Sequence, residues 1–316
     1  MIITILFLIV GIAILIYGAD TLVKGAASLA KKLGISSMVI GLTVVAFGTS
    51  MPEMVVNLLS AYKGTTDIAI GNIIGSNIAN ILLILGISAI VFPLAVKKAT
   101  TYKEIPFALL AVLLVALFAN DFFVNKMGEN VLNKTEGITL IGFFIIFLYY
   151  TFGMSKSTEE TEEVKVYKTL HSILLVILGL TGLILGGKLI VDNAIILAKL
   201  AGMSERLIGL TIVAVGTSLP ELATSVIAAM RKQADIAIGN VVGSNIFNVF
   251  WILGLTATIT PLPVDASINF DILFSCFVTF LLFLFMFIGQ KHKLERWQGI
   301  MFVLIYVAYV TFIIVK

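Results

Sequence analysis

The run GLTVVAFGTSMPE at Gly41 to Glu53 returns as GLTIVAVGTSLPE at Gly209 to Glu221, 168 positions further along the chain. The same ungapped shift carries Gly34 onto Gly202, Asp67 onto Asp235 and Pro93 onto Pro261, and about half the positions from Gly34 to Leu94 are identical under it. Shared apolar bias alone does not produce that level of identity, so the chain must fold as two copies of one plan. Each copy carries a Gly, a Thr, a Ser, a Pro and a Glu inside an otherwise apolar stretch. In lipid every one of them is penalised, and an ionisable or helix-breaking residue there faces a cavity or a pathway.

The solvent is set by composition: 59% hydrophobic residues, 12% charged residues and a mean hydropathy of +1.11 exclude a soluble globule. Apolar spans fall at roughly 2–20, 37–61, 67–93, 105–121, 136–153, 169–191, 205–229, 235–259, 268–289 and 297–315, each near the ~20 residues that a helix needs to cross a bilayer. The predicted fold class is an all-α polytopic membrane protein, with ten transmembrane helices arranged as two inverted-topology five-helix repeats. Residues 1–153 form the first repeat, 154–168 a charged cytoplasmic linker and 169–316 the second repeat. Inversion follows from the odd number of crossings per repeat, which turns the second copy upside down. Met1 to Tyr17 has no basic leader and its end aligns with Leu183 to Gly187, so it reads as a retained first span and not a signal peptide.

Lysine and arginine placement gives the orientation. With the N-terminus outside, fourteen of the 21 basic residues fall on inner loops, among them Lys24, Lys31, Lys32, Lys97, Lys98, Lys165, Arg231 and Lys232, and seven on outer ones. The positive-inside rule therefore puts both termini outside an integral, multi-pass cell membrane protein. The run SKSTEETEEVK at Ser155 to Lys165 reads as a solvated linker on the inner side, too short to fold as a regulatory calcium domain. A net charge of +3 spread over loops excludes a nucleic-acid partner, no obligatory protein partner is evident, and Cys276, the single cysteine, forms no internal disulfide.

Proline lacks an N–H and clashes with the carbonyl four residues back, so Pro52 frees the carbonyl of Gly48 and Pro220 that of Gly216. Each helix is predicted to break there. Helical spacing groups Thr49, Glu53 and Asn57 at i, i+4 and i+8, and likewise Thr217, Glu221 and Ser225. The next span repeats the pattern with Asn72, Ser76 and Asn80, and with Asn240, Ser244 and Asn248. Carboxylate, hydroxyl, amide and backbone oxygens are hard ligands that suit Na⁺ or Ca²⁺, whereas zinc or copper asks for His and Cys.

Several of these residues have a simpler role. Gly71 with Gly75, and Gly239 with Gly243, read as close helix packing. Asp67 and Asp235 open their helices and read as caps, and His171 and His292 as interfacial side chains. Glu53 and Glu221 resist such readings, since their own and the following spans hold no basic residue apart from Arg206, which sits at the outer edge of its span. A buried ion pair within that core is unavailable, which leaves protonation or bound cations.

GTSMPE with GSNIAN, and GTSLPE with GSNIFN, resemble the two signature repeats of the Na⁺/Ca²⁺ exchangers of the Ca²⁺/cation antiporter superfamily, nearest to its prokaryotic calcium/sodium antiporter branch. The resemblance covers Gly34 to Leu94 and Gly202 to Leu262, about half the chain. It implies a secondary antiporter and not an enzyme, without a cofactor, whose substrates Ca²⁺ and Na⁺ compete for shared oxygens midway across the bilayer. It implies that Glu53 and Glu221 bridge the central sites, with Thr49 and Thr217 contributing through backbone and hydroxyl. Ser50, Ser76 and the Ala46 carbonyl would serve sodium in one half, and Ser218, Ser244 and the Ala214 carbonyl in the other. Asn80 and Asn248 would close the centre. Potassium-dependent relatives carry Asp where this chain has Asn248. Two carboxylates neutralise one Ca²⁺ or two Na⁺, so a third Na⁺ would enter with net positive charge.

The alternatives are a proton-coupled or K⁺-dependent exchanger, an exchanger of another divalent ion such as Mg²⁺, and a channel. Proton-coupled relatives carry a GNxxE-type motif in place of GTSxPE, and duplicated breaks with inverted topology favour a gated midplane site over a pore. An intramembrane hydrolase is excluded by the lack of HExxH.

Overall fold

The computed structural model describes residues 2–64, 66–120, 130–153, 165–201, 214–265 and 268–315. Gly202, the first part of the second motif (Gly209 to Val213), Lys126, Lys156, Arg206 and nearly all of the charged linker lie outside them. The first half contains α1 (Ile2–Leu33), α2 (Ser37–Thr49), α3 (Met51–Tyr62), α4 (Ile68–Val91), α5 (Lys98–Phe118) and α6 (Lys134–Gly153). The second contains α7 (Thr169–Leu200), α8 (Ala214–Thr217), α9 (Leu219–Met230), α10 (Ala234–Ile259), α11 (Asn269–Phe285) and α12 (Arg296–Val315). Seven of these helices are long and apolar enough to cross a membrane alone, and α2 with α3 forms an eighth span bent by 46°. The α8–α9 pair and α11 stand in the second half where α2–α3 and α5 stand in the first. The architecture is thus ten transmembrane helices in two five-helix repeats.

Inversion is visible where α1 meets its repeat counterpart α7. A Cβ on Gly18 would stand 2.8 Å from the Leu183 nitrogen, and one on Gly25 2.8 Å from that of Val176. As α1 advances α7 recedes, so two equivalent helices run in opposite directions. Small residues allow this approach: a Cβ on Gly186 would reach within 2.6 Å of the Leu15 nitrogen. Both helices turn long apolar faces outward (Leu6, Ile9, Leu178 and Leu185 are exposed), which suits lipid contact. The α7 helix also passes over both motif breaks, with Leu180 against Gly48 and Val191 against Gly216.

At the centre, α4 and α10 are buried on nearly every side, as expected of helices apolar around their full circumference. Gly239 and Gly243 let α10 cross α2 closely: a Cβ on Gly243 would lie 2.8 Å from the Ala46 Cβ. The packing reading holds for Gly239 and Gly243 but is corrected for Gly71 and Gly75, where an added Cβ would meet nothing closer than 3.9 Å among the described residues. Short antiparallel strand pairs clasp the halves, β1 (Leu94–Ala95) with β4 (Lys293–Leu294) and β2 (Val131–Leu132) with β3 (Leu262–Pro263). Since the repeat maps Leu94 onto Leu262, each pair takes one strand from each half.

The two halves differ in how the outer helices meet the core. Along α9, Ala223 and Ile227 are half-buried, while their counterparts on α3, Val55 and Leu59, are 49% and 51% exposed. At the end of α9, Arg231 donates through Nε to Asp20 of α1 at 2.6 Å, and Lys24 pairs with the same carboxylate at 2.6 Å. The repeat shift turns Asp20 into Lys188, Lys24 into Asp192 and Arg231 into Lys63. The signs on α1 are exchanged while Lys63 keeps the positive charge of Arg231, so Lys188 and Lys63 repel and cannot form the contact that Asp20 and Arg231 make. The expected capping role of Asp235 is corrected: no side chain caps that helix, and Asp235 pairs with Lys97 at 2.9 Å.

Gly186→Ala should lose about 1–3 kcal/mol through overpacking, read as a lower melting temperature in detergent. Gly142→Ala, at a position with open space within 4 Å, should melt no lower than the parent.

Candidate functional site

Both motif helices break one residue before the turn that carries proline. Ser50 (φ −82°, ψ 7°) separates α2 from α3 and Ser218 (φ −87°, ψ 4°) separates α8 from α9, with Pro52 and Pro220 in the first turns that follow. A proline is tolerated in a first turn because its missing N–H would have no partner there in any case. The break places Glu53 and Glu221 in those same first turns, both 1% exposed.

Serines converge on the two carboxylates from both repeats. Glu53 Oε1 accepts from Ser76 and from Ser218, each at 3.4 Å, and Ser218 also approaches Ser76 at 3.5 Å. Glu221 Oε1 accepts from Ser50 at 3.1 Å. Each glutamate is thus reached by the serine at the opposite repeat's break. Thr217 faces Glu53, and Thr49 and Ser244 face Glu221.

Asparagines of the central helices hold the backbone around the breaks. Asn72 Nδ2 donates to Asn57 Oδ1 at 3.0 Å and to the Glu53 carbonyl at 3.5 Å. Asn240 Nδ2 donates to Ser225 Oγ at 3.0 Å and to the Glu221 carbonyl at 3.3 Å. The bend parts Thr49 from the ridge that helical spacing assigned it with Glu53 and Asn57. Its hydroxyl donates across to Asn240 Oδ1 at 3.0 Å and lies 3.3 Å from the Ala46 carbonyl. That carbonyl also receives the Ser50 N–H at 3.0 Å. Ala214, its counterpart, opens α8.

Asn80 and Asn248 lie in stretches of wider, π-helical winding, Asn80–Leu85 and Phe247–Leu253, a distortion that recurs at functional sites. Asn77 and Asn245 were missed by the spacing argument. Their signal was present, since GSN occurs in both copies, but an i, i+4, i+8 count from Asn72 passes over them.

Among the described residues, five buried oxygens of this site have no hydrogen-bond partner: Glu53 Oε2, Glu221 Oε2, Asn80 Oδ1, Asn248 Oδ1 and Ser244 Oγ. Among the described residues the ion pairs involve Asp20, Lys24, Arg231, Lys97 and Asp235, and none reaches the two glutamates. Nor do the described residues contain a cluster of three or more His, Cys, Asp or Glu. The chemistry on offer is two carboxylates supplemented by neutral oxygens. A buried carboxylate oxygen without a donor is strongly destabilising unless a proton or a cation meets it, and the hard donor set fits a cation such as Na⁺ or Ca²⁺.

Comparison with known proteins gives one family. The model of the family described as "Sodium/calcium exchanger protein" matches residues 3–153 and 171–315. The sodium/calcium exchanger MaX1 of Methanosarcina acetivorans is 32% identical over 318 residues, covering 88% of this chain and 89% of that protein. Inner membrane protein YrbG of Escherichia coli is 35% identical over 243 residues, covering 73% of this chain and 72% of its own length. A solved structure of the sodium-calcium exchanger NCX_Mj, soaked with 10 mM Na⁺ and zero Ca²⁺, superimposes with a TM-score of 0.85 at 35% identity, covering 98% of each chain.

Ca²⁺ at a hundred times its dissociation constant should stabilise the purified protein by about 2.7 kcal/mol, seen as a rise in melting temperature. Glu53→Gln with Glu221→Gln should abolish that rise.

Proposed function

The chain belongs to the sodium/calcium exchanger family, and from that premise we propose that it exchanges Na⁺ for Ca²⁺ across a cell membrane by alternating access. The observation that carries the reading is the pair of buried glutamates, Glu53 and Glu221, each with a carboxylate oxygen that meets no donor. Glu53 and Glu221 bind the cations centrally, and Asn80 and Asn248 add oxygens from the central helices. Thr49, Thr217 and the Ala46 and Ala214 carbonyls complete the shell. Ser50 and Ser76 on one side, and Ser218 and Ser244 on the other, offer the smaller charge of Na⁺ neutral oxygens beside a carboxylate. NCX_Mj has been solved after soaking with Na⁺ alone and with Na⁺ together with Sr²⁺ or Ca²⁺.

Coupling arises from competition, because the same carboxylates cannot be satisfied by full complements of both ions at once. With Asn248 neutral, two carboxylates balance one Ca²⁺ or two Na⁺, and potassium has no charge of its own to answer, so exchange needs no K⁺. Access alternates when the α1–α7 pair shifts along the two breaks that it covers. The Asp20–Arg231 contact, whose repeat counterparts Lys188 and Lys63 are both positive, holds α1 on α9 at one end. Residues 1–153 and 169–316 are the two five-helix repeats, each giving one helix to the shifting pair, 154–168 links them on the cytoplasmic side, and both termini lie outside.

Purified protein in liposomes tests the reading, with Ca²⁺ uptake followed under Na⁺, K⁺ and pH gradients imposed separately. The Na⁺ gradient alone should drive uptake; uptake driven only by protons or only with K⁺ would overturn it. Glu53→Gln or Glu221→Gln should abolish Na⁺-driven uptake while the variant still folds, and robust uptake by either counts against the assignment. Protons compete for the same oxygens, so uptake should fall as the pH is taken well below neutrality and recover on return.

A further inference from the structure

Asn77 and Asn245 occupy equivalent positions in the two repeats and face each other across the molecular centre. Asn77 Nδ2 donates to the Asn245 carbonyl at 3.3 Å, and Asn245 Nδ2 donates to the Asn77 carbonyl at 3.3 Å. A backbone carbonyl only accepts, so each contact dictates which end of the side-chain amide faces it. The nitrogen of each amide is committed to the carbonyl and its oxygen must point the other way. There it meets a second asparagine: Asn245 Oδ1 accepts from Asn80 Nδ2 at 2.9 Å, and Asn77 Oδ1 accepts from Asn248 Nδ2 at 3.0 Å.

The consequence passes one step further along each chain of bonds. An oxygen facing Asn80 and Asn248 compels those residues to present their NH₂ groups to it. Their own oxygens are turned away from the pair, and Asn80 Oδ1 and Asn248 Oδ1 are the two amide oxygens left buried without a donor. All four asparagines are 1% exposed or less, so water does not compete for these orientations. A reversed Asn80 or Asn248 would aim two N–H dipoles at a cation.

The geometry points to Asn77 and Asn245 as positioning residues that fix the polarity of the amides supplying the cation site, each acting on the opposite repeat: Asn77 on Asn248, and Asn245 on Asn80. This rests on the cation-binding reading above. Outer partners that orient metal ligands typically change affinity 10–100-fold when removed. A pair serving only to join α4 to α10 would instead change stability without regard to which ligand is present.

The test is a double-mutant cycle on equilibrium ⁴⁵Ca²⁺ binding to the purified full-length protein. Asn77→Ala should weaken binding by about tenfold or more. In an Asn248→Asp background the same change should cost less than about twofold, because a carboxylate has no N–H end to misorient. In an Asn80→Asp background it should keep its full effect. Equal losses in the two backgrounds, or a lower melting temperature with Ca²⁺ affinity unchanged, would overturn the inference. Asn245→Ala provides the mirror cycle with the two backgrounds exchanged, and Asn77→Ser replaces Asn77→Ala if the alanine variant does not fold. Absence of Ca²⁺ binding by the parent protein would instead refute the cation-binding reading itself.

Discussion

Two carboxylates are buried in an apolar helix bundle, and among the described residues no basic side chain meets them. Isolated, each would cost several kcal/mol, and a protein that spent its stability there needs a counter-charge from elsewhere. The arrangement around Glu53 and Glu221 follows from that requirement. The helices break beside them, serines from the opposite repeat supply single hydrogen bonds to one oxygen, and the second oxygen is left for a partner that the chain does not contain. A site completed by its substrate ion can also be emptied and refilled, which transport requires.

Internal duplication makes such a site possible from one short motif. Inversion brings the two copies together head to head, so each element is used twice at the centre: two breaks, two glutamates and two asparagine pairs. Close glycine contacts between α1 and α7, and between α2 and α10, draw the four elements near enough for their polar groups to meet. The symmetry fails at the rim. Asp20 and Arg231 are joined where Lys188 and Lys63 both carry positive charge, and α9 is covered where α3 is exposed. Partly exposed ion pairs of this kind are worth roughly 1 kcal/mol or less, enough to bias an equilibrium between two packings and too little to freeze it.

Most of the fold and the heart of the site could be read from residues alone. Repeated hydropathy gave the spans, the odd crossing number gave inversion, and Pro52 and Pro220 announced the breaks. Glu53 and Glu221 stood out because nothing basic lay near them in sequence. Contacts between helices were less legible. Helical periodicity groups Thr49 with Glu53, but the 46° bend interrupts it; Asp235 opens its helix as a cap would, but binds Lys97; and Asn77 and Asn245 fall between the counted positions.

The sequence by itself determined that the chain crosses a membrane as two related halves, and that each half brings one unneutralised acid into the apolar interior. Hydrophobic spacing and charge are properties of composition along a line, so they survive without coordinates. Only the tertiary structure decided which oxygens are occupied and which are bare. That depends on where two helices cross, because a hydrogen bond such as Asn245 to Asn80 at 2.9 Å joins residues 165 positions apart in the chain, and no local period encodes that distance.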